Sequence, residues 1–420
     1  RMAADHRSEH AESWDPLPTV LSLTKYLPYP AVAHAGGQYL LAHDRALARF
    51  ARVEHLAPDT PINRDALPKA AGGPPAALLE GARPVLAGPL LKLFQLESVW
   101  AGSSIYRPVR RLFRGARAPW ARLERADAVE LQWSEMIALA PALRRRLPGT
   151  PLVGIAHDVI TQRLERQAAE GGSPIRRALL RVAAARCRRR EAATFAALDL
   201  LIVFSEKDAA LARELAPGAR VEVVHPGLGP TDALPRDADG DEPIVLFTGA
   251  MNRPENHGGV AWFLDEIWPA VLGAVPEARF VIAGANPPES LRARVEAAPR
   301  AELTGFVDSL EPWYARAALF VAPLRAGAGV KFKTIDAMLR GVPIVTTEVG
   351  AEGIGAGDAA APRLFAAVTD DPGRFAEAAV RQLREPDEAL VAGARRWADE
   401  VYGVAAFEGR IRELYAEFIA

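Results

Sequence analysis

From Thr19 onward the chain alternates between short runs that are apolar throughout and longer segments in which apolar residues recur every three or four positions. Runs of the first kind predict strands buried on both faces, as in a parallel sheet; the second kind predicts helices packed on it. In the first half the strands fall at 19–24, 53–57, 128–132, 152–156, 200–204 and 221–224. Helical periodicity covers 38–50, 135–146, 174–197 and 206–215. Residues 58–80 are rich in Pro, Gly and Ala and predict a loop, and 84–123 alternate apolar residues with arginine and predict helices.

The rhythm breaks between His225 and Pro243, a stretch with four prolines, a cluster of acids and no apolar period. It then resumes, with strands at 244–248, 278–283, 301–304, 318–322, 342–346 and 363–367, a long helix at 257–274 and an amphipathic tail at 407–419. Strand and helix alternating in two halves predicts an α/β chain of two similar Rossmann-like lobes facing each other across a cleft. The expected division is a disordered leader at 1–15, a first lobe at 16–230, a linker at 231–243, a second lobe at 244–399 and a tail at 400–420.

A length of 420 residues suits two domains of ordinary size. Apolar residues make up 50% and charged residues 25%, the balance of a globular protein. With 51 basic and 52 acidic residues the formal net charge is -1, so nothing marks a nucleic-acid partner. The single Cys187 cannot form an internal disulfide, which suits a reducing compartment. No run approaches the ~18 apolar residues of a membrane span, and the polar first fifteen residues lack the apolar middle of a secretory signal. The expected address is the cytoplasm, with a peripheral contact on the inner face of the membrane left open.

Ligands of parallel α/β sheets bind beyond the carboxyl ends of the strands, and five segments fall there. Gly36-Gly37 follows the first strand at a helix start, where backbone amides attract anions. Thr248-Gly249 repeats this arrangement in the second half and adds Arg253, suited to bidentate phosphate pairing. The segment Ala326 to Met338 is a glycine-rich turn opening a helix, and it includes Gly329, Lys331, Lys333 and Asp336. Cations avoid a helix N-terminus unless an anion sits in front of them, so these lysines point to a bound phosphate, and Asp336 could accept from ribose hydroxyls. A fourth segment leads from Gly341 into a turn with Gly350, Glu352 and Gly353; a fifth is His157-Asp158 at the end of a first-lobe strand.

Residues 247–354 resemble the retaining GT-B glycosyltransferases of glycosyltransferase family 4. The likeness rests on Phe247-Thr-Gly-Ala-Met, Pro254-Glu-Asn256, Phe280-Val-Ile-Ala-Gly284, Thr304-Gly-Phe-Val-Asp308, Gly327-Ala-Gly-Val-Lys-Phe-Lys333, Asp336-Ala-Met338 and Gly341-Val-Pro-Ile-Val345. A looser likeness runs through His34-Ala-Gly-Gly37, His157-Asp158 and Val203-Phe-Ser205. The resemblance implies a nucleotide-diphosphate sugar as donor, no cofactor and no bound metal, with an acceptor (a glycan, lipid-linked sugar or small molecule) on the first lobe. It implies that the backbone near Phe306 and Val307 holds the base and Asp336 the ribose. Gly37, Arg253 and Lys331 would surround the diphosphate, and Gly36, Gly249, Gly329 and Lys333 are expected among the residues that bind the donor. Gly350 to Gly353 with Glu352 would lie near sugar and phosphates, and His157 would face the sugar. His157, Arg253 and Lys331 are the expected catalytic residues. It also implies that the last helix returns to the first lobe.

Two departures stand out. Family members often carry two glutamates with seven residues between them, where this chain has Ala328 and Asp336. Many place a lysine shortly after the phosphate-binding arginine, where this chain has Asn256. Rival readings are a nucleotide-sugar epimerase of the same architecture and a non-catalytic nucleotide-sugar-binding or assembly subunit. Asp237-Ala-Asp239 has the form of a metal chelate but lies among other acids in the linker and reads as solvated surface. The basic stretch 174–197, with Arg176, Arg177, Arg181, Arg186 and Arg188 to Arg190, reads first as a helix with a solvated basic side and second as a membrane-surface contact.

Overall fold

The computed structural model describes residues 17–30, 32, 35–80, 107–115, 117–169, 173–228, 242–327, 329–355 and 358–419. The expected leader, most of the linker with Asp237 and Asp239, His34, Ala328 and residues 84–106 lie outside these.

Two wholly parallel sheets form the molecule. The first holds seven strands in the order β3-β2-β1-β4-β5-β6-β7. These are β1 (Thr19–Leu23), β2 (Arg52–Pro58), β3 (Ala76–Leu79), β4 (Ala128–Gln132), β5 (Leu152–Ile155), β6 (Leu200–Val203) and β7 (Val221–Val223). The second holds six in the order β10-β9-β8-β11-β12-β13. They are β8 (Ile244–Thr248), β9 (Arg279–Ala283), β10 (Ala301–Gly305), β11 (Ala317–Ala322), β12 (Ile344–Thr346) and β13 (Ala367–Val368). Each sheet reverses its winding once, between β1 and β4 and between β8 and β11. At such a switch point the helices leave to opposite faces and open a crevice beyond the strand ends. Central strands are buried from end to end because helices cover both faces, which is why their sequences do not alternate.

Four expectations change. The loop at 58–80 contains the Pro61–Ala66 helix and β3. The Thr60 hydroxyl accepts from the Asn63 amide and Pro61 stands in the first turn, so a proline that looked like a breaker starts the helix. The single helix expected at 135–146 is two, Trp133–Ile137 and Ala140–Arg146, with Pro141 in the first turn of the second. The helix expected at 257–274 begins at Pro254 and carries a π-helical turn over Phe263–Ile267 just before Pro269. Proline has no N–H to donate, and the widened turn absorbs the missing bond. The last strand is only Ala367–Val368.

The tail joins the two halves. Helix Glu388–Tyr402 packs on helix Phe332–Leu339 in the second half, and helix Val404–Tyr415 packs on helix Ala35–Leu47 in the first. Phe407, Ile411, Leu414 and Tyr415 complete the apolar layer under β1, β5 and β6. The Leu228 amide donates to the Tyr402 carbonyl at 2.8 Å, and the His225 and Tyr402 rings lie 5.1 Å apart. A Cβ on Gly227 would come within 2.7 Å of the Phe407 ring.

One interaction in this layer is polar. Glu130, fully buried in the middle of β4, accepts from Tyr415 Oη and lies 2.7 Å from His43 Nε2. Burial alone would raise its carboxyl pKa; the adjacent His43 and the Tyr415 hydroxyl outweigh that and hold it below the usual carboxylate range. Replacing one member of a buried pair leaves the other uncompensated. Glu130→Ala is therefore expected to lower stability by about 3 kcal/mol or more, read as a shift in urea midpoint at unchanged slope. A midpoint within error of wild type would show that the network carries no stability.

Candidate active site

The carboxyl ends of the two sheets meet. A Cβ on Gly329, in the loop after β11, would stand 3.2 Å from the His157 carbonyl at the end of β5. A Cβ on Gly353, after β12, would stand 3.0 Å from Ser205 at the end of β6. Both glycines have positive φ, +72° and +77°, so the close approach and the backbone turn select the same residue type. Phe332 continues the contact, its ring 5.9 Å from that of Phe204.

At the second sheet's switch point three cations converge. Lys333, in the first turn of helix Phe332–Leu339, places Nζ 2.5 Å from Asn256 Oδ1 and 4.5 Å from the centre of the Phe247 ring. Gly249 makes room for it: a Cβ there would be 2.7 Å from Lys333 Nζ. Arg253 is exposed, caps helix Pro254–Trp262, and acts electrostatically on Lys333 and on Asp158 across the cleft. Lys331 is buried at the N-cap, donating to the Gly329 carbonyl at 2.5 Å and lying 3.5 Å from Glu352 Oε2. Lys333 thus stands beside Asn256 and brings a charge to it from another element.

Glu352 is the counterweight. Its carboxylate, almost wholly enclosed, is gripped in bidentate fashion by Arg166, which also donates to the Gly327 carbonyl at 2.6 Å. It is also met by Lys207 and, at 3.5 Å, by Lys331. Arg166 and Lys207 belong to helices Ile160–Ala169 and Glu206–Leu215 of the first half. Burial, then Arg166 and Lys207, push Lys331 down to about 8. Burial, then Arg166, push Lys207 to about 8. Burial, then Arg253, push Lys333 to about 7.

On the first-lobe side His157 is half-buried and stacked on Trp133, ring centres 4.3 Å apart and 10° from parallel. Tyr39 and Phe204 meet it edge-on at 5.2 and 5.0 Å. Trp133 follows β4 with φ of +69°, a strained conformation for a bulky residue and one that clusters at working sites. Gly36 is where the indole fits: a Cβ there would lie 2.8 Å from the ring. Its absent side chain serves this packing, and Gly37 beside it is buried.

The other expected residues divide. Phe306, just beyond β10, is 63% exposed, and Val307 beside it is half-buried. Asp336 is half-buried, with one oxygen 3.1 Å from Arg340 Nη1, and burial raises its carboxyl pKa. Gly350 is engaged within its own lobe: its amide donates to Thr347 Oγ1 and its carbonyl accepts from Thr334 Oγ1, both at 3.1 Å. Sequence reasoning missed Trp133, Arg166 and Lys207. None stands in a motif; they reach the site only because the lobes face each other. Among the described residues no three of His, Cys, Asp and Glu gather closely enough to hold a metal ion.

Two facing lobes of this kind, each a doubly wound parallel sheet, constitute a GT-B fold. Residues 242–385 match the family model described as glycosyl transferases group 1. Over 125 residues the chain is 34% identical to the lipopolysaccharide core biosynthesis mannosyltransferase LpsB of Rhizobium meliloti, covering 28% of this chain and 35% of that one. The chain spans about a third of the length of the curated relatives it matches. Among solved structures, sucrose-phosphate synthase of Thermosynechococcus elongatus superposes with a TM-score of 0.66 at 18% identity, over 95% of this chain and 98% of that one. Anabaena HepE in complex with UDP and glucose superposes with a TM-score of 0.60 at 13% identity, over 95% and 100%. The family match falls in the second lobe, and the fold is shared over nearly the whole chain.

Depressed lysines give the site a pH signature. An anion stabilises the charged ammonium, so a nucleoside diphosphate bound near Lys333 and Lys331 should draw protons onto them. Calorimetry between pH 7 and about 8.5, in buffers of different ionisation enthalpy, should show proton uptake on binding and affinity falling as pH rises. Binding with no proton uptake across that window would place the anion elsewhere.

Proposed function

We propose that the protein is a retaining glycosyltransferase of the family 4 type. It moves a sugar from a nucleotide-diphosphate sugar to an acceptor on the first lobe, and it needs no bound metal. The observation that carries this reading is the convergence of Arg253, Lys331 and Lys333 at the switch point of the second sheet. Breaking the bond between the sugar's anomeric carbon and the phosphate oxygen leaves new negative charge on the diphosphate. Fixed cations and backbone dipoles aimed at that charge lower the barrier, each worth about 100- to 1000-fold in rate. Arg253, Lys331 and Lys333 supply the charge here, and the Gly37 amide would be the first lobe's donor. The acceptor oxygen bonds to the same carbon on the face the phosphate leaves, and its proton passes to the departing diphosphate oxygen.

His157, held between Trp133 and Tyr39, would present a ring edge to the donor sugar. Exposed Phe306 would offer its ring and neighbouring backbone to the base, and the uncovered side of Asp336 would accept from the ribose. A nucleotide donor is supported further by HepE, a protein of the same fold captured with UDP and glucose. A role in polysaccharide or glycoconjugate synthesis is supported by the relative described as a lipopolysaccharide core mannosyltransferase.

The test uses purified protein, a chelator and a panel of nucleotide-sugars. One donor should yield slow release of nucleoside diphosphate, and Lys331→Ala should release it about 100-fold more slowly with an unchanged circular dichroism spectrum. Turnover near wild type in that variant removes Lys331 from the mechanism. Silence across the panel, with no thermal shift from UDP, GDP, ADP or TDP, removes the transferase reading.

A further inference from the structure

The basic helix has a feature that its composition does not reveal. Helices Ile160–Ala169 and Pro174–Phe195 pack antiparallel around a small apolar core of their own, including Leu164, Ala168, Leu180, Ala184 and Cys187, distinct from the cores under the sheets. The opposite side of the second helix exposes three large apolar residues. Ile175 is 74% exposed, Leu179 49% and Val182 43%. Their spacing of four and three residues puts them in one stripe along the helix. They are three of the seven large hydrophobic residues exposed among the described residues. The reading of a buried face with a solvated basic side therefore describes only part of this helix.

The stripe runs into arginine. One and two turns further along the same face stand Arg186, Arg189 and Arg190, with Arg176 and Arg181 to either side. The helix carries seven arginines and one acid, Glu191. That acid is buried and occupied with the amides of Ile160 and Thr161 at 2.8 and 3.0 Å, so the exposed face has no negative charge from its own helix. Glu165 and Glu214 are drawn to Arg188, off the stripe.

We infer that this face is a docking surface for an anionic lipid bilayer. The apolar end enters the boundary between headgroups and acyl chains, and the arginines meet lipid phosphates with their stems lying along the apolar layer. Charge decides the occupant. A second copy of the chain would bring Arg181, Arg189 and Arg190 against the same exposed arginines, whereas an anionic surface offers them opposite charge. The first helix of the pair carries Arg166 to Glu352, so the docked face and the cleft share one packed pair of helices. The surface stands independently of the transferase reading; where both hold, the acceptor belongs to the class of lipid-linked sugars.

The test is flotation of the full chain with vesicles of phosphatidylcholine alone or mixed equally with phosphatidylglycerol. At low salt the protein should float with the mixed vesicles only, and about 0.5 M salt should release it. Ile175→Ser/Leu179→Ser/Val182→Ser and, separately, Arg189→Glu/Arg190→Glu should each cut the floated fraction about tenfold, with circular dichroism and melting temperature unchanged. No flotation at low salt overturns the inference, as does equal flotation on neutral vesicles or flotation indifferent to both variants. A dimer in light scattering that the serine variant abolishes would assign the stripe to a second copy instead.

Discussion

One enclosed carboxylate governs the cleft. Glu352 stands on the second lobe, yet two of the three cations that meet it, Arg166 and Lys207, come from the first. A buried carboxylate is tolerable only with such compensation. Contact between the lobes and charge balance at the site are therefore one interaction. The cations outnumber it: burial, then Arg166 and Lys207, depress Lys331; burial and Arg166 depress Lys207; burial and Arg253 depress Lys333 further. Positive charge is held here against burial first and its own repulsion second, costs that an entering anion would relieve.

The first lobe supports this arrangement with rigidity rather than charge. His157 is fixed by an indole on one side and the edges of Tyr39 and Phe204 on others. The indole in turn is fixed by a strained backbone and by the space left at Gly36. Below them the layer closes on Glu130, His43 and Tyr415, so the end of the chain is tied by a polar contact into the sheet whose far edge forms the cleft.

Most of the fold was legible because parallel sheets advertise themselves: a strand covered on both faces must be apolar throughout, and β4 and β8 match their expected spans to the residue. The misses have local causes. β3 is a four-residue edge strand, Ala76–Leu79, too short and too poor in β-branched residues to signal itself. Pro61 opens a helix in a stretch that reads as loop, whereas Pro141 and Pro269, inside stretches that read as continuous helices, each stand in the first turn of a new helical segment. At the site, the glycine-rich turn with Lys331 and Lys333 was legible because cations at a helix N-terminus are anomalous. Arg166 and Lys207 were not, since each is ordinary on its own helix and acquires meaning only from Glu352, more than a hundred residues away.

The pairing of the two chain crossings at Leu228 and Tyr402 has a mechanical consequence. The bond joins the segment that leads out of the first lobe to the end of the helix from which the chain returns to it, so a change in the path of either is passed to the other. The aromatic contact of His225 with Tyr402 lies at the same point, on backbone that takes no part in the chemistry.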